Sequence, residues 1–144
     1  MDAVWVNELY IATAPAATEG GEPTWSKLCA GIEGMTFTEN EQNQQYFFIC
    51  GEGFAHNETT GAAPELAITG RRIVGDAAQD YIAGMQFKLG TDRNSKVKVI
   101  TGGKQIVCDC SIGGISSFGG NTLDVNAFGC TIRFNGKPVV TDAT

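Results

Sequence analysis

Between Gln105 and Asn135 the chain twice alternates apolar and polar side chains with period two, and no other stretch restricts its possible folds as tightly. Ile106, Cys108, Cys110 and Ile112 share one face, and Gln105, Val107, Asp109 and Ser111 share the other. Phe128, Cys130, Ile132 and Phe134 likewise oppose Gly129, Thr131, Arg133 and Asn135. Successive side chains of a strand point to opposite sides, so both runs read as half-buried strands. The Gly/Ser-rich stretch Gly113 to Gly120 connects them. It lacks the Lys-Ser/Thr of a phosphate loop and the βαβ context of a dinucleotide fold, so it reads as a flexible or closely packed turn.

The rest of the chain extends this β reading. Val4 to Ala12 predicts a strand, and the aperiodic segment from Pro15 to Pro23 a long loop. Trp25 to Phe37 predicts one strand with a bend or bulge at Gly31 and Gly34. The polar run Glu39 to Gln45 fits a solvated loop or a strand facing water. Tyr46-Phe47-Phe48-Ile49-Cys50 fits a strand covered on both faces. A second long connection, Gly51 to Pro64, holds the single histidine, His56. Leu66 to Ile73 resumes strand character.

One helix is expected over residues 76–84. Asp76 stands as N-cap with Gln79 at capping-box spacing, Ala77, Ala78, Tyr81 and Ile82 share a face, and Gly84 is placed to end it in the left-handed conformation. Met85, Phe87 and Leu89 then alternate as a strand would. Lys96 to Ile100 is a further strand, and Gly102-Gly103 a tight hairpin into the next. The expected architecture is mainly β: an antiparallel β-sandwich or small barrel of about eight strands, with one short flanking helix, in a single domain spanning 1–144.

Composition restricts function more than fold. At 144 residues a domain buries roughly 68–70% of its unfolded surface without a staple. Sixteen acidic against ten basic residues give a net charge of −6, which disfavours adhesion to a phosphate backbone. An acidic surface still suits a wall past which DNA must slide. The N-terminus lacks the basic start and apolar stretch of a secretory signal, and no apolar run approaches the roughly 20 residues that span a bilayer. Five cysteines, an odd number, fit reduced thiols in a cytoplasm better than secretion with two bridges and a spare thiol.

Reactive constellations are weak. Cys108-Asp109-Cys110 could supply zinc ligands, but the two thiols share a face with Ile106 and Ile112, and Cys130 repeats the arrangement, so all three read as core. His56 lacks a neighbouring nucleophile and orienting partner. The carboxylates Glu39, Glu41, Asp76, Asp80, Asp109 and Asp124 supply pairs, as any acidic chain does, and read as polar faces. No catalytic residue, cofactor or metal is expected. Arg71-Arg72 reads either as two solvated residues or as an inter-subunit ion pair.

Taken in order, four segments resemble the major tail tube proteins of long-tailed (siphovirus-like) bacteriophages. They are Trp25 to Glu41 with Gly31-Ile32-Glu33-Gly34, Thr69 to Ile82, Ser116-Ser117-Phe118-Gly119-Gly120, and Phe134-Asn135-Gly136-Lys137-Pro138. The resemblance implies a non-enzymatic virion protein, assembled in the host cytoplasm into hexameric rings that stack as a hollow tail. It also implies as partners further copies of the chain, a tape-measure protein and tail terminator and initiator proteins, with DNA passing through the lumen. On that basis Glu39, Glu41, Asp109, Ser111 and Thr131 are candidates to face the lumen, though Arg133 shares the Thr131 face. Arg71, Arg72, His56, Glu19 and Glu22 are candidates for contacts between subunits. The alternatives are the inner tube of a contractile injection system or tailocin, and a monomeric β-sandwich module binding a ligand through Trp5 or Trp25.

Overall fold

The computed structural model describes residues 3–14 and 23–142. They form strands β1 (Glu8–Ala14), β2 (Thr24–Lys27), β3 (Ile32–Thr38), β4 (Gln42–Phe47), β5 (Ala55–Gly61) and β6 (Glu65–Arg71), then helix α1 (Ala77–Ala83), then β7 (Asn94–Thr101), β8 (Lys104–Ser116) and β9 (Ala127–Asp142). Seven strands make one antiparallel sheet in the order β2-β1-β7-β8-β9-β6-β3, and β4 and β5 make a separate two-stranded hairpin. The sheet curls into a half-barrel, so the mainly β fold with one helix is as expected.

The alternating runs set this sheet. In the central β8–β9 pair Ile112 lies opposite Ile132, Cys110 opposite Phe134 and Ser111 opposite Arg133, so the apolar sets of both strands fall on one face. β7 adds Val97 and Val99, β1 adds Leu9 and Ile11, and β6 adds Leu66 and Ile68, all buried. Gly102 and Gly103 both adopt positive φ, 55° and 78°, in the β7–β8 turn, as a two-residue hairpin requires.

α1 lies on the apolar face. Ala78 and Ile82, with Met85 just beyond the helix and Leu28 from the β2–β3 connection, complete the core. Asp76 caps the helix by accepting from the Gln79 amide at 3.1 Å. The Gln79 side chain, fully buried, does not reach back to complete a capping box. Its Nε2 donates to the Ala30 and Arg71 carbonyls (2.7 and 3.0 Å), and its Oε1 accepts from the Ile73 amide at 2.8 Å. One side chain thus fastens the helix to the β2–β3 connection and to the end of β6.

Several expectations are corrected. The Val4 segment starts as a 3-10 turn, Val4–Val6, and β1 begins only at Glu8. Trp25 to Phe37 is two strands at opposite edges of the sheet, because the chain crosses the apolar face between them and buries Leu28. Tyr46 to Cys50 is covered on neither face: it ends β4 and enters a 3-10 turn, and all five residues are exposed. The Gly51 to Pro64 connection contains β5. Gly84 closes α1 in a right-handed conformation, donating to the Asp80 carbonyl at 3.0 Å. No strand follows at Met85 to Leu89: successive turns bury Met85, while Phe87 takes φ 70° and is exposed. Gly113 and Gly114 belong to β8, and the connecting loop begins only after Ser116. Nine strands therefore stand among the described residues.

Candidate assembly surfaces

The face of the sheet opposite α1 is polar and laced with local pairs. Asp109 lies 3.7 Å from Lys96, and Arg133 lies 3.8 Å from Glu65 across the β6–β9 register. Ser111 donates to Asn94 Oδ1 at 2.7 Å and accepts from Asn135 Nδ2 at 2.9 Å. Thr131 sits between Ala67 and Gly113 on neighbouring strands. Towards β2, the Lys98 ammonium rests over the rings of Tyr10 and Trp25, 4.7 and 4.8 Å from their centroids. Asp109, Ser111 and Thr131 thus share one continuous face with Arg133, and that face is charge-mixed, not acidic.

Glu39 and Glu41 lie elsewhere, at the neck of the β4–β5 hairpin. A hydrogen bond to Glu41 and the repulsion that accompanies it hold the Glu39 carboxyl above its usual value. Asn40 (φ 51°) donates its side-chain amide to the Ala63 carbonyl, and the Ala63 amide donates to the Glu39 carbonyl, closing the neck.

Both arginines are engaged within the chain. Arg71 pairs with Glu33 at 2.9 Å on an exposed edge. Arg72 donates to Asp80 at 2.8 Å and to the Ile73 carbonyl at 2.7 Å, which ties the end of β6 to α1. That hydrogen bond, foremost, lowers the Asp80 carboxyl below its usual value. His56 lies on β5 opposite Tyr46, with Nε2 3.0 Å from Glu58 and its ring tilted against Phe48. Glu19 and Glu22 lie outside the described residues.

Cys108, Cys110 and Cys130 are buried in the core, and burial pushes the Cys110 and Cys130 thiols up to about 12. Among the described residues no cluster of three His, Cys, Asp or Glu side chains could hold a metal, and no helix is long and apolar enough to cross a membrane.

Two features escaped sequence reasoning. The first is an apolar groove of about 700 Å³ on the α1 side of the sheet, at the end that the short helix does not reach, lined by Phe37, Leu66, Val99, Ile106, Phe134 and Val140 among others. The second is the hairpin tip, where Phe47, Phe48, Ile49 and Phe54 are all exposed. An unbroken apolar run directly after seven polar residues was the available signal for the tip.

No family model matches the sequence, and no curated protein does. The fold, however, is shared with a solved structure: a chain from the tail of an empty GTA particle, determined with helical refinement and C6 symmetry. The two superpose with a TM-score of 0.74 over 98% of this chain and 99% of that one, at 10% sequence identity.

Proposed function

We propose that the chain is a tail tube subunit, a non-enzymatic structural protein whose copies form stacked hexameric rings around a lumen through which DNA passes. The observation that carries this is the end-to-end likeness in fold to a chain of a C6-symmetric tail. The topology is suited to it. β2 and β3 are the two edges of the seven-stranded sheet, and each leaves backbone groups on its outer side without a strand partner among the described residues. Edges that pair head to tail between copies generate rings.

In this reading the face carrying Asp109, Ser111 and Thr131 lines the lumen. The local pairs Lys96–Asp109 and Glu65–Arg133 leave that wall with little net field, so phosphate is neither gripped nor strongly repelled. Arg71, exposed at the end of β6, and His56, on the hairpin, remain the candidates for contacts between subunits, and Arg72 acts through its hold on α1.

Negative-stain electron microscopy of the purified protein is the test. Hollow tubes or sixfold rings are the expected result. A chain that stays monomeric at high concentration, even with a tail initiator complex supplied, would overturn the proposal.

A further inference from the structure

On the polar face of the sheet, every charged residue that strand parity places there has a partner of opposite charge except one. Glu8 pairs with Lys27 at 3.2 Å, Asp109 with Lys96 at 3.7 Å, Glu65 with Arg133 at 3.8 Å and Arg71 with Glu33 at 2.9 Å. Lys98 makes no ion pair among the described residues. We infer that Lys98, seated over Tyr10 and Trp25, is the point at which this wall touches the phosphate backbone of duplex DNA, once per copy, an inference that rests on the tube reading above.

Sheet register builds the seat. Tyr10 lies opposite Lys27 on one side and opposite Lys98 on the other, and Trp25 lies opposite Ala12, so both rings stand on the polar face beside Lys98. The ammonium sits 4.7 Å from the centroid of Tyr10 and 4.8 Å from that of Trp25. A ring face attracts a cation without cancelling its charge, which a carboxylate would do. Glu8, two residues before Tyr10 on the same face, is engaged by Lys27 and by the Tyr10 hydroxyl, which donates to it at 3.3 Å. Tyr10, Trp25 and Lys98 are all half-buried, so the long lysine stem packs along apolar surface and only its head meets water.

The charges around the seat favour a polyanion. Pair by pair they cancel, and Lys98 leaves this face with one positive charge in surplus on a chain whose net charge is −6. The acidic excess therefore lies off these strands, where it repels DNA, and a duplex meets its one attractive point at Lys98. An ammonium is a compact point charge, whereas a guanidinium grips phosphate through two bonds, and both arginines of this face are already paired. The contact is thus a light one, screened over about 8 Å at physiological ionic strength, and it suits a strand that must move on.

Duplex DNA fits such a wall better than an acidic protein segment does. A duplex carries one negative charge per roughly 1.7 Å of its axis, so any part of it meets single cations repeated from copy to copy. A peptide would have to bring its carboxylates into register with them.

The test reads the two tryptophan indole N–H signals of the full chain by NMR. Trp25 reports the seat, and Trp5, exposed in the 3-10 turn ahead of β1, is the internal control. A short DNA duplex at low salt should shift the Trp25 signal and leave the Trp5 signal in place. Raising monovalent salt tenfold should weaken the contact roughly eightfold, the dependence expected for one phosphate neutralised. Lys98→Met keeps an unbranched stem over the rings, so it should melt as wild type does and lose the response, whereas Lys98→Arg should keep it. A Trp25 signal that ignores the duplex, or that moves as far in Lys98→Met, would overturn the contact. So would an equal shift with poly-glutamate or with inorganic phosphate at the same concentration of charge, which would make the seat a site for acidic protein or for free anions. Electron microscopy scores assembly separately. Tubes without a Trp25 response remove the contact and leave the tube reading standing, and a Trp25 response from protein that never forms tubes removes the tube reading and leaves the contact as a property of the subunit.

Discussion

The seven-stranded sheet with its helix and the β4–β5 hairpin obey opposite rules. In the sheet every alternating strand finds apolar neighbours within the chain, and Gln79, the one fully buried polar side chain among the described residues, has both ends of its amide satisfied. In the hairpin the polar strand residues face water on both sides, and the apolar residues crowd at the tip without cover. Burial stabilises a fold only where the partner surface lies in the same chain. The sheet therefore holds the subunit together, whereas the hairpin's apolar surface contributes little until something else covers it.

Chemical access should separate the two regions most widely. Cys50 in the hairpin and Cys29 are exposed, whereas Cys110 and Cys130 have thiols raised from 9.0 to about 12. A thiol-specific reagent on the native subunit should label Cys29 and Cys50 well ahead of Cys110 and Cys130, whose sulfurs are buried and held protonated. Equal labelling would break the contrast. Stability comes next: Ile132→Ala in the core should cost about 2–5 kcal/mol, read from denaturant unfolding.

Gln79→Ala should cost roughly 3 kcal/mol, because it strands the Ile73 amide and two carbonyls, and orphaned buried groups cost about 1–3 each. A smaller, pH-dependent effect belongs to Asp80. Its carboxyl is lowered in the folded state by Arg72, so its contribution is present above the unfolded carboxylate value of about 3.9 and is lost as pH falls through the folded one. Wild type and Asp80→Asn should differ in melting temperature at neutral pH and converge in acid. The smallest effect is expected at the hairpin apex, where Ile49→Asp should change subunit stability by no more than about 0.5 kcal/mol.

What could be read in advance followed the same division. The period-two runs, the Gly102-Gly103 turn and the Asp76 cap are local signals, and each formed where expected because the neighbours that decide it lie within a few residues. Tyr46 to Cys50 was misread because an apolar run is the same string whether its cover comes from its own chain or from elsewhere. Met85 to Leu89 mimicked a strand, but the turns after α1 continue, so only Met85 reaches the core. Of the candidate lumen residues, Asp109, Ser111 and Thr131 share one face of the sheet, as strand parity implies, while Glu39 and Glu41 lie at the hairpin neck, across which parity does not carry.

By itself the sequence determined that this chain is a sheet with a capped helix, which residues of its alternating strands face the core, and that Cys108, Cys110 and Cys130 are packing atoms, because periodicity and capping act over short distances. Only the tertiary structure decided that β2 and β3 end as opposite edges, that Arg72 and Gln79 lock the helix down, and that an open groove lies at the foot of an uncovered hairpin. Those facts depend on which segments meet across the sheet, and long-range pairing leaves no local mark on the residues that make it.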